Sequence, residues 1–164
     1  MLEIVLFRHG IAEAYNLHGD SERELTKAGV KQIKQAAKGL KPLFLDRKRV
    51  VVFSSPLRRA RQTADLLTET LKTKDRYLRE EIADGRFEEL YYEWAGYHDD
   101  TTIIVVGHEP TLGLWLTRMT SERLSFTKGA MCAIAVRDLL VQATGKLLWY
   151  CTAETLSRID KNID

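Results

Sequence analysis

LEIVLFRHG, residues 2–10, decides how the rest of the chain is read. Apolar residues lead from Leu2 to Phe7 with only Glu3 between them, and the run stops at Arg8, a permanent cation, and His9, a titratable imidazole. Gly10 then lets the chain turn. A short, nearly continuous apolar run is what a strand needs when both faces of its sheet are covered. The polar residues at its end are either an ordinary exit to solvent or half of a catalytic site, and the remaining sequence has to decide which.

Three further runs have the same character: Val50–Phe53, Ile103–Val106 and Met131–Val136. Helical patterns lie between them. One spans Thr26–Leu40, with Ala28, Ile33, Ala37 and Leu40 as its buried stripe and Thr26 as its cap. A second spans Pro56–Leu71, with Pro56 placed in the first helical turn. A third covers Arg86–Tyr97, and a fourth follows Pro110. A short strand is expected at Tyr77–Leu78. The end reads as a hairpin, Met131–Arg137 and Leu147–Cys151, around a turn near Ala143–Gly145. Alternating strands and helices predict an α/β fold: a three-layer α/β/α sandwich with a mostly parallel sheet and an antiparallel edge hairpin. No low-complexity tract, repeat or Pro/Gly-rich linker divides the chain, so residues 1–164 are expected to form one domain.

The totals exclude several classes. Hydrophobic residues make up 45% and charged residues 29%, as in ordinary water-soluble domains. A net charge of +2 makes no case for nucleic acid, so any attraction for anions must come from local clusters. No apolar run is long enough for a membrane span, and the N-terminal run meets Arg8 too soon for a signal peptide. The two cysteines, Cys132 and Cys151, are then expected as free, buried thiols in a reducing cytoplasm.

In open α/β sheets, ligands bind beyond the carboxyl ends of the strands. The first strand ends in RHG, the second in SSPLRRARQT and the third in VGHEP. If these strands are parallel, Arg8, His9, Arg58 or Arg59, and His108 converge at one end. Two arginines and two histidines suit a phosphoryl group. Arginine offers a charged, planar fork to phosphate oxygens. One neutral imidazole can be the nucleophile and the other can bind oxygen. Helices starting near Pro56 and Pro110 would also aim free backbone N–H groups at an anion. Phosphoryl transfer needs mainly positioning and charge stabilisation, so no metal or cofactor is required of this set. The four histidines lack H-x-H or H-E-x-x-H spacing, which argues against a metal site. His18, in the loop NLHGDSERE at the expected pocket mouth, and His98 are assigned to the surface. Tyr91, Tyr92, Trp94 and Tyr97 lie at helical spacing and read as packing.

Together, LFRHG, SSPLRRARQTA and VVGHEP resemble the three signatures of the histidine phosphatase superfamily, the phosphoglycerate-mutase-like enzymes. The likeness extends through RELTKAG and FTKGAMCAIAV…GKLLWY, and the short chain with its closing hairpin is most similar to the small SixA-type phosphohistidine phosphatases. The resemblance implies that His9 is the phosphorylated nucleophile, that Arg8 and Arg59 bind phosphoryl oxygens, and that His108 is the second histidine of the pocket. Arg58, beside Arg59, reads as a helix-surface residue or a rim contact to substrate, ahead of a direct part in catalysis. Family members often use a carboxylate in a Leu-x-Glu stretch as proton donor; LREE offers Glu80, with Glu81 as the alternative, although the glycine-and-aromatic sequence that usually follows is not cleanly present. The implied substrate is phosphohistidine on a phosphorelay or phosphotransfer protein. Two other readings stay open: a small-molecule phosphomonoesterase of the same superfamily, and a non-catalytic phosphoprotein-binding module.

Overall fold

A computed structural model describes residues 1–44, 46–47, 49–97 and 99–161. The surface assignment of His98 lies outside the described residues.

The strand runs form one six-stranded sheet: β1 (Leu2–Arg8), β2 (Arg49–Ser54), β3 (Arg76–Leu78), β4 (Thr101–Gly107), β5 (Met131–Val136) and β6 (Lys146–Cys151), in the order β3-β2-β4-β1-β5-β6. The pairs β3/β2, β2/β4 and β4/β1 are parallel, whereas β1/β5 and β5/β6 are antiparallel. The parallel sheet with its antiparallel edge hairpin is therefore present.

The helices are α1 (Lys27–Leu40), α2 (Arg58–Leu71), α3 (Glu80–Asp84), α4 (Phe87–Ala95), α5 (Thr111–Thr120) and α6 (Ala153–Lys161). They cover both faces of the sheet and make the three layers. Along β1, Ile4 and Leu6 point into a core shared with α4 and α5, including Trp94 and Trp115, while Val5 and Phe7 point into a second core with Ile33, Ala64 and Leu156. This strict alternation across a doubly covered sheet is why the run looked continuously apolar.

Local details differ from the sequence-based expectations. Ala28 is exposed; Gly29, Ile33, Ala36, Ala37 and Leu40 are the buried face of α1. The first turn runs against the loop after β1, where a side chain on Gly29 would meet the Ile11 carbonyl oxygen at 2.0 Å. Thr26 does cap α1, its Oγ1 accepting from Gly29 N at 3.0 Å. Pro56 lies before α2 rather than in its first turn, because the helix starts at Arg58. The strand end at β2 instead closes with a serine turn, Leu57 N donating to Ser55 Oγ at 3.2 Å. Neither α3 nor α6 is among the expected helices; α6 packs against α1. Cys132 and Cys151 are free thiols on adjacent strands, one register step apart, and they belong to opposite cores. Burial pushes the Cys132 thiol up to about 12.

Candidate active site

Arg8 ends β1 opposite Gly107 of β4, so the sheet register itself brings His9 beside His108. Backbone bonds fix the turn on every side: Arg8 N donates to Ala130 O at 2.9 Å, His9 N to Gly107 O at 3.1 Å, and Gly129 N to His9 O at 3.0 Å. Gly10 N donates to Thr63 Oγ1 at 3.1 Å, and Thr63 Oγ1 donates to Arg59 O at 2.8 Å, which ties β1 to α2. Gly10 is needed here for space: a Cβ would lie 2.6 Å from Ile33 Cγ1.

The two imidazole rings are neighbours, with centroids 5.1 Å apart and planes tilted by 55°. His9 is 5% exposed and its Nδ1 lies 2.8 Å from Gly10 O. A carbonyl can only accept, so Nδ1 carries the proton and Nε2 keeps its lone pair. Burial lowers the His9 pKa to about 3, against the opposing effect of the Gly10 hydrogen bond; His108, Arg59 and Arg8 lower it further. The ring is neutral at physiological pH. His108 is 9% exposed, and burial, then Arg59, lower it to about 4. Its Nε2 is 2.7 Å from Ser55 Oγ, and its Nδ1 is buried without a partner among the described residues. If the Ser55 hydroxyl donates to Nε2, Nδ1–H becomes a free donor.

Arg8 Nη1 donates to Phe126 O at 2.6 Å, and its Nε is buried without a partner among the described residues. Arg59 is also buried. Its Nη1 donates to Asp20 O at 2.9 Å and its Nη2 to Asp20 Oδ2 at 3.3 Å. Asp20 is pulled below the usual carboxylate range, first by the hydrogen bond from Arg23. The site thus pairs two neutral histidines with two guanidinium groups, one of which is occupied by a carboxylate.

Arg8, His9, Arg59 and His108 are therefore brought together. Arg58 is not: it turns outward to Glu22 and Glu24. Glu80 is exposed at the first position of α3, and neither it nor Glu81 shares a hydrogen bond or ion pair with those four residues. His18 is exposed on the loop after β1. The N-terminus of α5 is not open to an anion as expected, because Glu109 Oε1 already accepts from Gly113 N at 2.8 Å. Asp20, Ser55 and Thr63 are partners that the sequence reading did not single out.

The profile of the histidine phosphatase superfamily (branch 1) matches residues 4–101, which include Arg8, His9 and Arg59 but not His108. A relative of undescribed function from Picosynechococcus sp. is 29% identical over 151 residues, 87% of this chain and 90% of its own. The protein histidine phosphatase SixA, solved with tungstate, superposes with a TM-score of 0.76 at 20% identity, covering 94% of this chain and 99% of that one. A SixA-type protein from Nakamurella multipartita superposes with a TM-score of 0.71 at 26% identity, covering 91% and 94%. A mycobacterial glucosyl-3-phosphoglycerate phosphatase shares the fold at a TM-score of 0.72 and 16% identity, covering 92% and 99%. The fold is the phosphoglycerate-mutase-like one. No described helix is long and apolar enough to cross a membrane.

Proposed function

Because this chain belongs to the histidine phosphatase superfamily, branch 1, we propose that it is a phosphatase that removes phosphoryl groups from histidine side chains of a partner protein. The observation that carries this reading is the neutral His9 ring, its Nδ1 proton held by Gly10 O, in contact with His108 and in the field of Arg8 and Arg59.

His9 Nε2 attacks phosphorus in line with the leaving imidazole. A P–N bond forms to His9 while the P–N bond to the substrate breaks, and the departing imidazole keeps the electron pair and takes up a proton from solvent. Arg8, Arg59 and His108 hold the three equatorial oxygens. Arg59 exchanges Asp20 for phosphoryl oxygen as the substrate enters. Water then attacks phosphorus, the P–N bond to His9 breaks with its electron pair returning to Nε2, and inorganic phosphate leaves as the water's proton goes back to solvent. Charge is met by the two guanidinium groups, so the cycle runs without a metal ion.

One feature supports a protein substrate. The loop after β1, tied to Arg59 through Asp20, holds Tyr15 and Leu17 in solvent at 74% and 80% exposure. A folded partner can cover such a rim; a sugar phosphate is too small to.

The test is a turnover panel in chelator, comparing a phosphohistidine protein, a phosphoserine peptide and sugar phosphates. The phosphohistidine protein should give much the highest kcat/KM, with acid-labile label trapped on His9 and none formed by His9→Ala. A sugar phosphate turned over faster than every phosphohistidine protein would move the function to metabolites. Binding without turnover of any substrate would make the chain a recognition module.

A further inference from the structure

At the end of the sheet opposite His9, the start of β2 and the approach to β3 line an open cleft of about 470 Å³. Among the described residues, five cations line it, Lys41, Arg47, Arg49, Lys72 and Lys74, against one carboxylate, Asp75. β2 runs from Arg49 in this cleft to Ser54, next to the Ser55 that holds His108. A strand of that length puts about 16 Å between the cleft and the catalytic end.

The two arginines are partnered: Arg47 Nη2 donates to Glu3 Oε2 at 2.6 Å and Arg49 Nε to Asp75 Oδ2 at 2.7 Å. Lys41, Lys72 and Lys74 have no ion pair among the described residues. Helix ends account for the positions of two of them. Lys41 follows the last residue of α1, and Lys72 terminates α2 in the left-handed conformation at φ 56°; a cation is favoured at either place. That does not account for Lys74, which caps no helix, nor for three amines in one concavity, where like charges repel. Apolar Phe44, Val50 and Leu71 share the lining, and low-dielectric walls strengthen the field in such a cleft.

We propose that this cleft binds a compact oligophosphate: a ligand with at least two linked phosphate groups, either inorganic polyphosphate or the tail of a nucleoside di- or triphosphate. Cations from the end of α1, the end of α2 and the start of β2 line the same cleft, more charge than one phosphate carries, so a linked pair or triple of phosphates matches the set better. The volume falls within the range of about 300–1,000 Å³ usual for small-molecule sites. The cations surround one cleft rather than forming a stripe along a face, which favours a short polyanion over a nucleic-acid strand.

The test is calorimetric titration of the whole chain with sodium tripolyphosphate, with tungstate saturating Arg8 and Arg59. The expected result is one salt-sensitive site with a dissociation constant below about 1 mM at low ionic strength. Combined Lys41→Ala, Lys72→Ala and Lys74→Ala should weaken it by about tenfold or more, leaving aryl phosphate turnover unchanged. The three Lys→Arg substitutions should retain binding. ATP binding tighter than tripolyphosphate would assign the source to a nucleotide, and equal binding would assign it to the phosphate chain. Heat that disappears when tungstate is present, binding that survives the triple alanine variant, or tighter binding of a single-stranded oligonucleotide would overturn the proposal.

Discussion

Asp20 holds the guanidinium that a phosphoryl group needs. Its carboxylate and its backbone oxygen both accept from Arg59, yet its side chain is 66% exposed and its other oxygen is held by Arg23 at 2.9 Å, outside the catalytic set. Asp20→Asn keeps the shape and the backbone acceptor and removes the competing charge. Tungstate, a phosphoryl mimic, should then bind about three- to tenfold tighter; weaker binding would make Asp20 a residue that positions Arg59 rather than one that competes with substrate. The neighbouring arginines separate cleanly. Arg59→Ala should lower kcat/KM by about 10²–10³, the loss usual for a preorganised donor at a charged transition state. Arg58→Ala should cost less than about threefold, because Arg58 is spent on the exposed carboxylates Glu22 and Glu24. A critical Arg58 with a dispensable Arg59 would reverse the assignment. Glu80→Gln should be mild on a phosphohistidine protein, since imidazole leaves readily and Glu80 stands apart from the four convergent residues. Those four were legible because each follows a strand or opens the next helix in an unbroken stretch of chain. Ser55 and Asp20 were not, because their roles exist only through contacts with His108, 53 residues away, and Arg59, 39 residues away.

The loop from Ala12 to Leu25, closed by a bridge between those two residues, behaves as a preorganised element. Glu13 Oε1 accepts from Asn16 Nδ2 at 2.7 Å and from Glu24 N at 2.9 Å, and Arg23 Nε donates to Glu13 O at 2.7 Å. Leu25 N donates to Gln62 Oε1 at 2.7 Å, which fastens the loop to α2. This polar frame holds Tyr15 and Leu17 mostly in water, and a loop fixed in advance lowers the entropy cost of binding. Combined Tyr15→Ser and Leu17→Ser should raise KM for a phosphohistidine protein about tenfold or more and leave turnover of a small aryl phosphate unchanged. Equal loss on both substrates would mean that the loop only shapes the catalytic pocket; no loss on either would place the partner elsewhere. At this scale the strands were readable because burial on both faces leaves long apolar runs. The start of α2 was misplaced because a serine turn, not Pro56, ends the strand connection. α6 escaped notice because its apolar side chains are few, Ala153, Leu156 and Ile159, and only contact with α1 gives them something to cover.

For the whole molecule, two buried neutral histidines make stability depend on pH in a predictable direction. Unfolded, each ring has an ordinary pKa near 6.5; folded, burial holds His9 at about 3 and His108 at about 4. Below pH 6.5 the unfolded chain therefore binds protons that the folded chain refuses, and stability falls as pH drops from 6.5 toward the folded values. The loss at pH 5 relative to pH 7 is about 2 kcal/mol for each histidine, as an order of magnitude. A share this large of the 5–15 kcal/mol typical of a domain should show as a marked fall in Tm. It arises at the reacting centre rather than in the two apolar cores, so it can be removed separately. Replacing both rings by glutamine, which stays neutral at every pH, should flatten the decline in stability between pH 7 and 5 measured by urea unfolding. The same experiment on Arg58→Ala should leave the slope as it is. A double glutamine variant that loses stability with acid as steeply as the parent chain would show that the rings titrate near 6.5 in the folded state. His9 would then be half protonated at that pH, and a neutral nucleophile would need another cause than burial.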